Sequence, residues 1–180
     1  MRGQPLRPLT VPNLVGYARL AGIPAFLYLA LGSGDGRTAS AAIVYLAIAV
    51  SDYLDGFLAR ATGQYSRMGV LLDPFVDRLT LLAGVVVCWK FELLPRWGLG
   101  VLAVRELAML LVAQLGLRRG LDVEINWVGR WSVWLTMGGI FLALVTAAWI
   151  APAMFFCGLV GSLLASLLYL RSGLGALRRS

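Results

Sequence analysis

Six apolar runs, each close to the roughly twenty residues that cross a bilayer, succeed one another along almost the whole chain. No other feature restricts the fold so strongly. Backbone in lipid must satisfy its own hydrogen bonds, and a single segment does so only as a helix. The runs and the polar turns between them predict helices over 13–32, 38–61, 68–90, 97–117, 127–149 and 152–170, with residues 1–12 as a short interfacial lead. Pro24 is expected to kink the first of these. The expected fold is an all-α integral membrane protein, one domain over 1–180 with six transmembrane helices. The chain is 59% hydrophobic and 14% charged, against about 25% charged for a soluble domain.

The few charges orient the bundle. The lead, the turn after helix two, the loop after helix four and the tail hold Arg2, Arg7, Arg60, Arg67, Arg118, Arg119, Arg130, Arg171, Arg178 and Arg179. The opposite loops hold Arg37, Lys90 and Arg96. Positive residues stay inside, so both termini are expected in the cytoplasm. Basic residues at helix ends also explain the net charge of +7 without nucleic acid, which is not an expected partner. Arg2 and Arg7 precede the first apolar run with no small-residue cleavage site, so a cleavable leader is not expected. Cys88 and Cys157 lie in apolar runs and read as small core residues, without a disulfide or zinc role. The chain has no histidine. Acid–base chemistry and metal binding must therefore fall mainly to carboxylates.

Four of the nine acidic residues crowd into helices two and three: Asp52, Asp55, Asp73 and Asp77. A charge at the centre of a membrane helix costs about 3 kcal/mol or more, and such residues are mostly functional. Asp52 and Asp55 are spaced i, i+3, and Asp73 and Asp77 i, i+4, so each pair shares a helix face. Two antiparallel helices joined by a short turn can bring the pairs together. Converging carboxylates repel unless cations sit between them. Oxygen-only sites suit Mg²⁺, Mn²⁺ or Ca²⁺, and pairs of metals about 3.5–4 Å apart serve phosphoryl chemistry. Gly56, Gly69 and Ala59 leave room for a ligand near the backbone, though small residues also serve helix packing. Arg60 can hold a phosphate. Two other readings stand beside this one. The aspartates could pair with arginines to hold helices together, or they could form the filter of a divalent-cation transporter.

The pattern Asp52-x2-Asp55-Gly56-x2-Ala59-Arg60-x8-Gly69-x3-Asp73-x3-Asp77 resembles the full signature of the CDP-alcohol phosphotransferase family, with no position departing from it. The resemblance implies a membrane enzyme that moves a phosphatidyl group from CDP-diacylglycerol to an alcohol and releases CMP. It implies that Asp52, Asp55, Asp73 and Asp77 hold two divalent cations, Mg²⁺ or Mn²⁺. It makes Asp77 also the general base on the acceptor hydroxyl, and Gly56, Ala59, Arg60 and Gly69 the lining of the CDP site. A homodimer in contact with membrane lipids is implied too. The excess of arginine over lysine suggests a GC-rich bacterial genome. The expected location is the bacterial inner membrane with the active site facing the cytoplasm.

The segment Leu9-Thr10-Val11-Pro12-Asn13-Leu14, with Arg19 and Pro24, resembles the start of the phosphatidylglycerophosphate synthase and cardiolipin synthase branches. Asn13 could support the nucleotide phosphates or cap the helix. Arg105-Glu106 and Trp127-Val128-Gly129-Arg130 fit the same branch. Arg105, Arg118, Arg119 and Arg130 are the candidates for holding the acceptor; for Arg105 and Glu106 inside helix four a functional role is favoured over a structural ion pair, and the other three arginines could simply mark the cytoplasmic edge. Two departures bear on the acceptor. Phosphatidylglycerophosphate synthases usually carry a second arginine two turns after the Arg-Glu pair, where this chain has Leu111-Val112-Ala113-Gln114. They also tend to carry Gly-Lys-x-Lys-Thr, where this chain has Gly129-Arg130-Trp131-Ser132-Val133. Both remove partners that a phosphate dianion needs. The reading favours phosphatidylglycerol as acceptor, with glycerol 3-phosphate as the alternative.

Overall fold

A computed structural model describes residues 11–62, 67–118 and 127–177. Six helices follow in order: α1 Val11–Leu31, α2 Ala39–Thr62, α3 Arg67–Lys90, α4 Arg96–Arg118, α5 Trp127–Val145 and α6 Ile150–Leu177. No strand occurs among the described residues. The chain divides into two compact units, Met1–Phe91 and Glu92–Ser180.

Most helix ends fall within two residues of the sequence expectation; α5 and α6 differ more. Helix α5 stops at Val145, four residues early. There Thr146 N–H still donates to Leu142 O at 2.8 Å, but the Thr146 hydroxyl accepts from Ala148 N–H at 3.2 Å. That local turn diverts the backbone from the helix. Helix α6 starts at Ile150, ahead of Pro152, which costs nothing in a first turn whose N–H groups have no helical partner. It also runs through Gly173 and Gly175 to Leu177. Pro24 lies inside α1 without ending it, on an exposed face.

In the first unit α1 packs on both α2 and α3. Phe26 and Tyr45 form its centre, with ring centroids 5.1 Å apart, amid Ile23, Ala30, Ala41, Ala42 and Ile48. The turn between α1 and α2 is held by Ser33, whose hydroxyl accepts from Gly36 N–H at 2.8 Å. Gly36 has φ 75°, and a Cβ there would lie 2.5 Å from the Phe91 ring. A side chain is thus excluded by both backbone conformation and space.

In the second unit α5 and α6 form a tight hairpin and α4 lies on α6. Ser132, Thr136, Gly139, Ile140 and Ala143 are the buried stripe of α5. Trp97 of α4 stacks on Phe156 of α6 at 4.9 Å. Large apolar side chains are widely exposed, among them Tyr28, Ile43, Val104, Leu111 and Leu167. Exposed apolar surface on this scale belongs to a protein that meets lipid or a partner. Cys157 is in this exposed set, not in the core as the sequence suggested, while Cys88 is buried; both are free thiols. Helical periodicity turns position 157 away from α5, something an all-apolar segment does not reveal. Among the described residues, three helices are long and apolar enough to cross a membrane: Leu14–Leu31, Trp127–Val145 and Ile150–Tyr169.

Candidate functional site

The aspartate pattern falls on two neighbouring helices of one unit. Asp52, Asp55, Gly56, Ala59 and Arg60 occupy the last turns of α2, and Gly69, Asp73 and Asp77 the first turns of α3. The two helices are in contact. Within each helix the acids keep the expected three- and four-residue spacing, which puts each pair on one face. The side chains at positions 52–74, and that of Asn13 in the first turn of α1, lie outside the described ones.

Asp77 is the motif acid whose side chain is described. It is 38% exposed and forms an ion pair with Arg19 of α1, which is 2% exposed. Its neighbour Val76 is fully buried, and Thr80 bonds back to Val76 O at 2.9 Å. The α3 helix therefore seals one face against the unit's interior and carries Asp77 at the boundary. Pairing with arginine was one of the alternative readings of the aspartates, and for Asp77 the structure contains such a pair. It does not close the site, because the carboxylate keeps an accessible side. Sequence reasoning used Arg19 only as a branch marker. The signal was available: a guanidinium in the middle of an apolar helix is as costly as the aspartates that drew attention.

Four carboxylates brought together would make a hard-oxygen donor set, without thiolate or imidazole, and that chemistry fits Mg²⁺ or Mn²⁺. Asp77, 38% exposed, is reachable for such a role.

The acceptor candidates lie in the second unit. Arg130 is exposed and sits 5.4 Å from the Trp127 ring. Arg118 closes α4 with its side chain outside the described ones, and Arg119 lies outside the described residues altogether. Arg105 is engaged within the unit. It pairs with Glu106, its Nε donates to Ser166 Oγ at 2.9 Å and its Nη2 donates to Ser162 O at 3.2 Å. Ser166 in turn donates to Ser162 O at 2.8 Å. This network ties α4 to α6 with both charges largely buried. Removing one partner of a buried pair costs about 3–5 kcal/mol, whereas replacing both by apolar groups can be nearly neutral. Arg105→Met is therefore expected to lower the thermal midpoint in detergent sharply. Arg105→Met with Glu106→Leu should recover most of it. A stable Arg105→Met protein with a raised acceptor KM would instead assign Arg105 to the acceptor.

Comparison with known proteins gives the family. Residues 9–164 match the model of the CDP-alcohol phosphatidyltransferase family, across both units. The chain belongs to that family. It is 40% identical over 157 residues to the CMP-forming cardiolipin synthase of Streptomyces coelicolor, covering 83% of this chain and 73% of that protein. It is 38% identical over 125 residues to a putative cardiolipin synthase of Mycobacterium tuberculosis, covering 69% of this chain and 59% of that protein. It is 29% identical over 136 residues to the CDP-diacylglycerol–glycerol-3-phosphate 3-phosphatidyltransferase of Bacillus subtilis, covering 69% and 70%. Family members so named are transferases, which leaves the transporter reading of the acidic cluster without support.

Proposed function

We propose that the protein is a CMP-forming cardiolipin synthase, transferring the phosphatidyl group of CDP-diacylglycerol to a hydroxyl of phosphatidylglycerol. The observation that carries the proposal is the unbroken eight-residue motif on α2 and α3, ending in a half-exposed Asp77. The acceptor rests on the two missing phosphate partners near Gln114 and Arg130 and on the 40% identity to a protein of that name. The second reading, phosphatidylglycerophosphate synthesis, is favoured by the Bacillus subtilis relative.

In this mechanism Asp77 accepts the proton of the acceptor hydroxyl as its oxygen attacks the phosphatidyl phosphorus. The bond from that phosphorus to the CMP oxygen breaks, and CMP leaves. Gly56, Ala59 and Gly69 let the nucleotide approach the helix backbones, and Arg60, with Asn13, holds its phosphates. Asp52, Asp55, Asp73 and Asp77 would hold the two divalent ions. Bound there, Mg²⁺ or Mn²⁺ supplies neutralisation of the pyrophosphate and of the leaving phosphate.

All six helices are proposed to span the inner membrane of a bacterium, with both termini and the motif on the cytoplasmic side and the protein acting as a homodimer. The 19-residue α5 supports a spanning arrangement: at 1.5 Å per residue it is about 28 Å long, close to a hydrocarbon core of about 30 Å. Its flanks carry exposed tryptophans, Trp127 and Trp131 at one end and Trp149 at the other, as interfacial belts do.

The test supplies purified protein with radiolabelled CDP-diacylglycerol, Mg²⁺ or Mn²⁺, and either phosphatidylglycerol or glycerol 3-phosphate. Cardiolipin and CMP should form with the first acceptor alone, and EDTA should stop both. Phosphatidylglycerophosphate formation would shift the assignment to the second reading. No metal-dependent CMP release with either acceptor would sink both.

A further inference from the structure

Arg19 lies midway along α1, 3% exposed, in a unit whose interior is otherwise built largely from apolar side chains. Holding a guanidinium there is costly unless it is matched by a specific partner. One partner is Asp77, 58 residues away on α3, with Arg19 Nη2 donating to Asp77 Oδ1. The pair is lopsided: the cation is sealed at 2% exposure while the carboxylate remains 38% exposed. A pair serving only to join two helices gains nothing from leaving its acid open. A pair that presents the acid to something outside requires it. The buried member is also an arginine, whose planar, permanently charged head fixes a carboxylate's orientation better than a lysine's point charge.

We infer that Arg19 is a positioning residue for Asp77: its sealed guanidinium orients the open carboxylate and, as a fixed positive charge beside it, weakens that carboxylate's grip on divalent cations. The inference rests on Asp77 acting as general base, as proposed above. A buried cation against Asp77 holds the carboxylate in one orientation and lowers its affinity for a second cation. Coulomb attraction at such range falls steeply with solvent screening, so burial of the arginine is what makes the effect last.

The experiment compares wild type, Arg19→Gln, Arg19→Lys and Asp77→Asn, each as the full chain in detergent micelles. CMP release gives kcat and the acceptor KM, and Mn²⁺ titration of the substrate-free protein by calorimetry gives a dissociation constant. Arg19→Gln should lose at least tenfold in kcat with acceptor KM within twofold, while its Mn²⁺ dissociation constant tightens three- to tenfold. Arg19→Lys should lie between wild type and Arg19→Gln on both measures. A helix-joining role alone would lower the thermal midpoint and leave Mn²⁺ affinity in the folded protein unchanged. Wild-type kcat in Arg19→Gln, or Mn²⁺ affinity that is unchanged or weakened, overturns the inference. Should Arg19→Gln not fold, wild-type kcat and Mn²⁺ affinity in Arg19→Lys overturn it equally. Asp77→Asn separates the two claims. If it turns over normally, the general-base reading fails. If it is inactive while Arg19→Gln matches wild type, only the role of Arg19 fails.

Discussion

Asp77→Asn is expected to lower CMP release about a thousandfold, within the range of roughly 10²–10⁴ contributed by a positioned general base. Asparagine keeps the shape of the side chain and can still accept a hydrogen bond from Arg19, so the α1–α3 contact should persist. What it cannot do is take a proton from the acceptor hydroxyl. Three motif carboxylates remain, Asp52, Asp55 and Asp73, so much of the divalent-ion binding should survive. The informative result is the separation of the two properties: lost turnover with retained Mn²⁺ binding and an unchanged helical signal by circular dichroism. Turnover near wild type would remove Asp77 from the base role. Loss of fold together with turnover would make the Arg19 pair, rather than proton transfer, the main contribution of this residue.

Gly139→Ala and Gly158→Ala should each destabilise the second unit by about 1–3 kcal/mol, the usual cost of overpacking a well-packed core. A Cβ at Gly139 of α5 would lie 2.5 Å from Phe155 N and 2.7 Å from Phe155 Cα. A Cβ at Gly158 of α6 would lie 2.5 Å from Thr136 N and 2.4 Å from Thr136 Oγ1. Each helix thus seats its glycine against the other's backbone, in the manner of small-residue contacts between membrane helices. Alanine gains about 1 kcal/mol of helix propensity over glycine, but that gain should lose here. At both sites backbone atoms stand among the obstructing ones and cannot rotate away, so the helices must move apart and give up contacts along the whole hairpin. Gly129→Ala is the internal control, because its Cβ would meet only Ala165 Cβ at an ordinary 3.5 Å. It should be neutral or slightly stabilising. Thermal unfolding in mild detergent reads all three. Equal midpoints for Gly129→Ala and Gly158→Ala would show that α5 and α6 are not held this closely.

Much of the molecule is legible without coordinates, for reasons that are local. Apolar runs of bilayer length force helices, so six helices follow from hydropathy. The spacings within Asp52-x2-Asp55 and Asp73-x3-Asp77 become shared helix faces because 3.6 residues make a turn. The cost of a buried charge draws attention to the same residues before any resemblance is considered. Where local chemistry competes, the reading weakens: Thr146 takes an amide that hydropathy assigned to α5, and α6 runs to Leu177, past the expected end at residue 170.

The chain's own pattern thus determined the helices, the acidic motif and the family chemistry, since each depends on residues close in sequence or on the energy of single side chains in lipid. Tertiary structure decided the partners. That Arg19 faces Asp77 across 58 residues, and that Arg105 is spent on Glu106, Ser162 and Ser166, depends on which helices pack and at what rotation. In a membrane helix that is apolar nearly all round, α1 having almost no difference between its faces, no hydrophobic stripe announces that rotation. It is set by close packing of small residues and by buried polar groups finding each other, interactions that exist only once the helices meet.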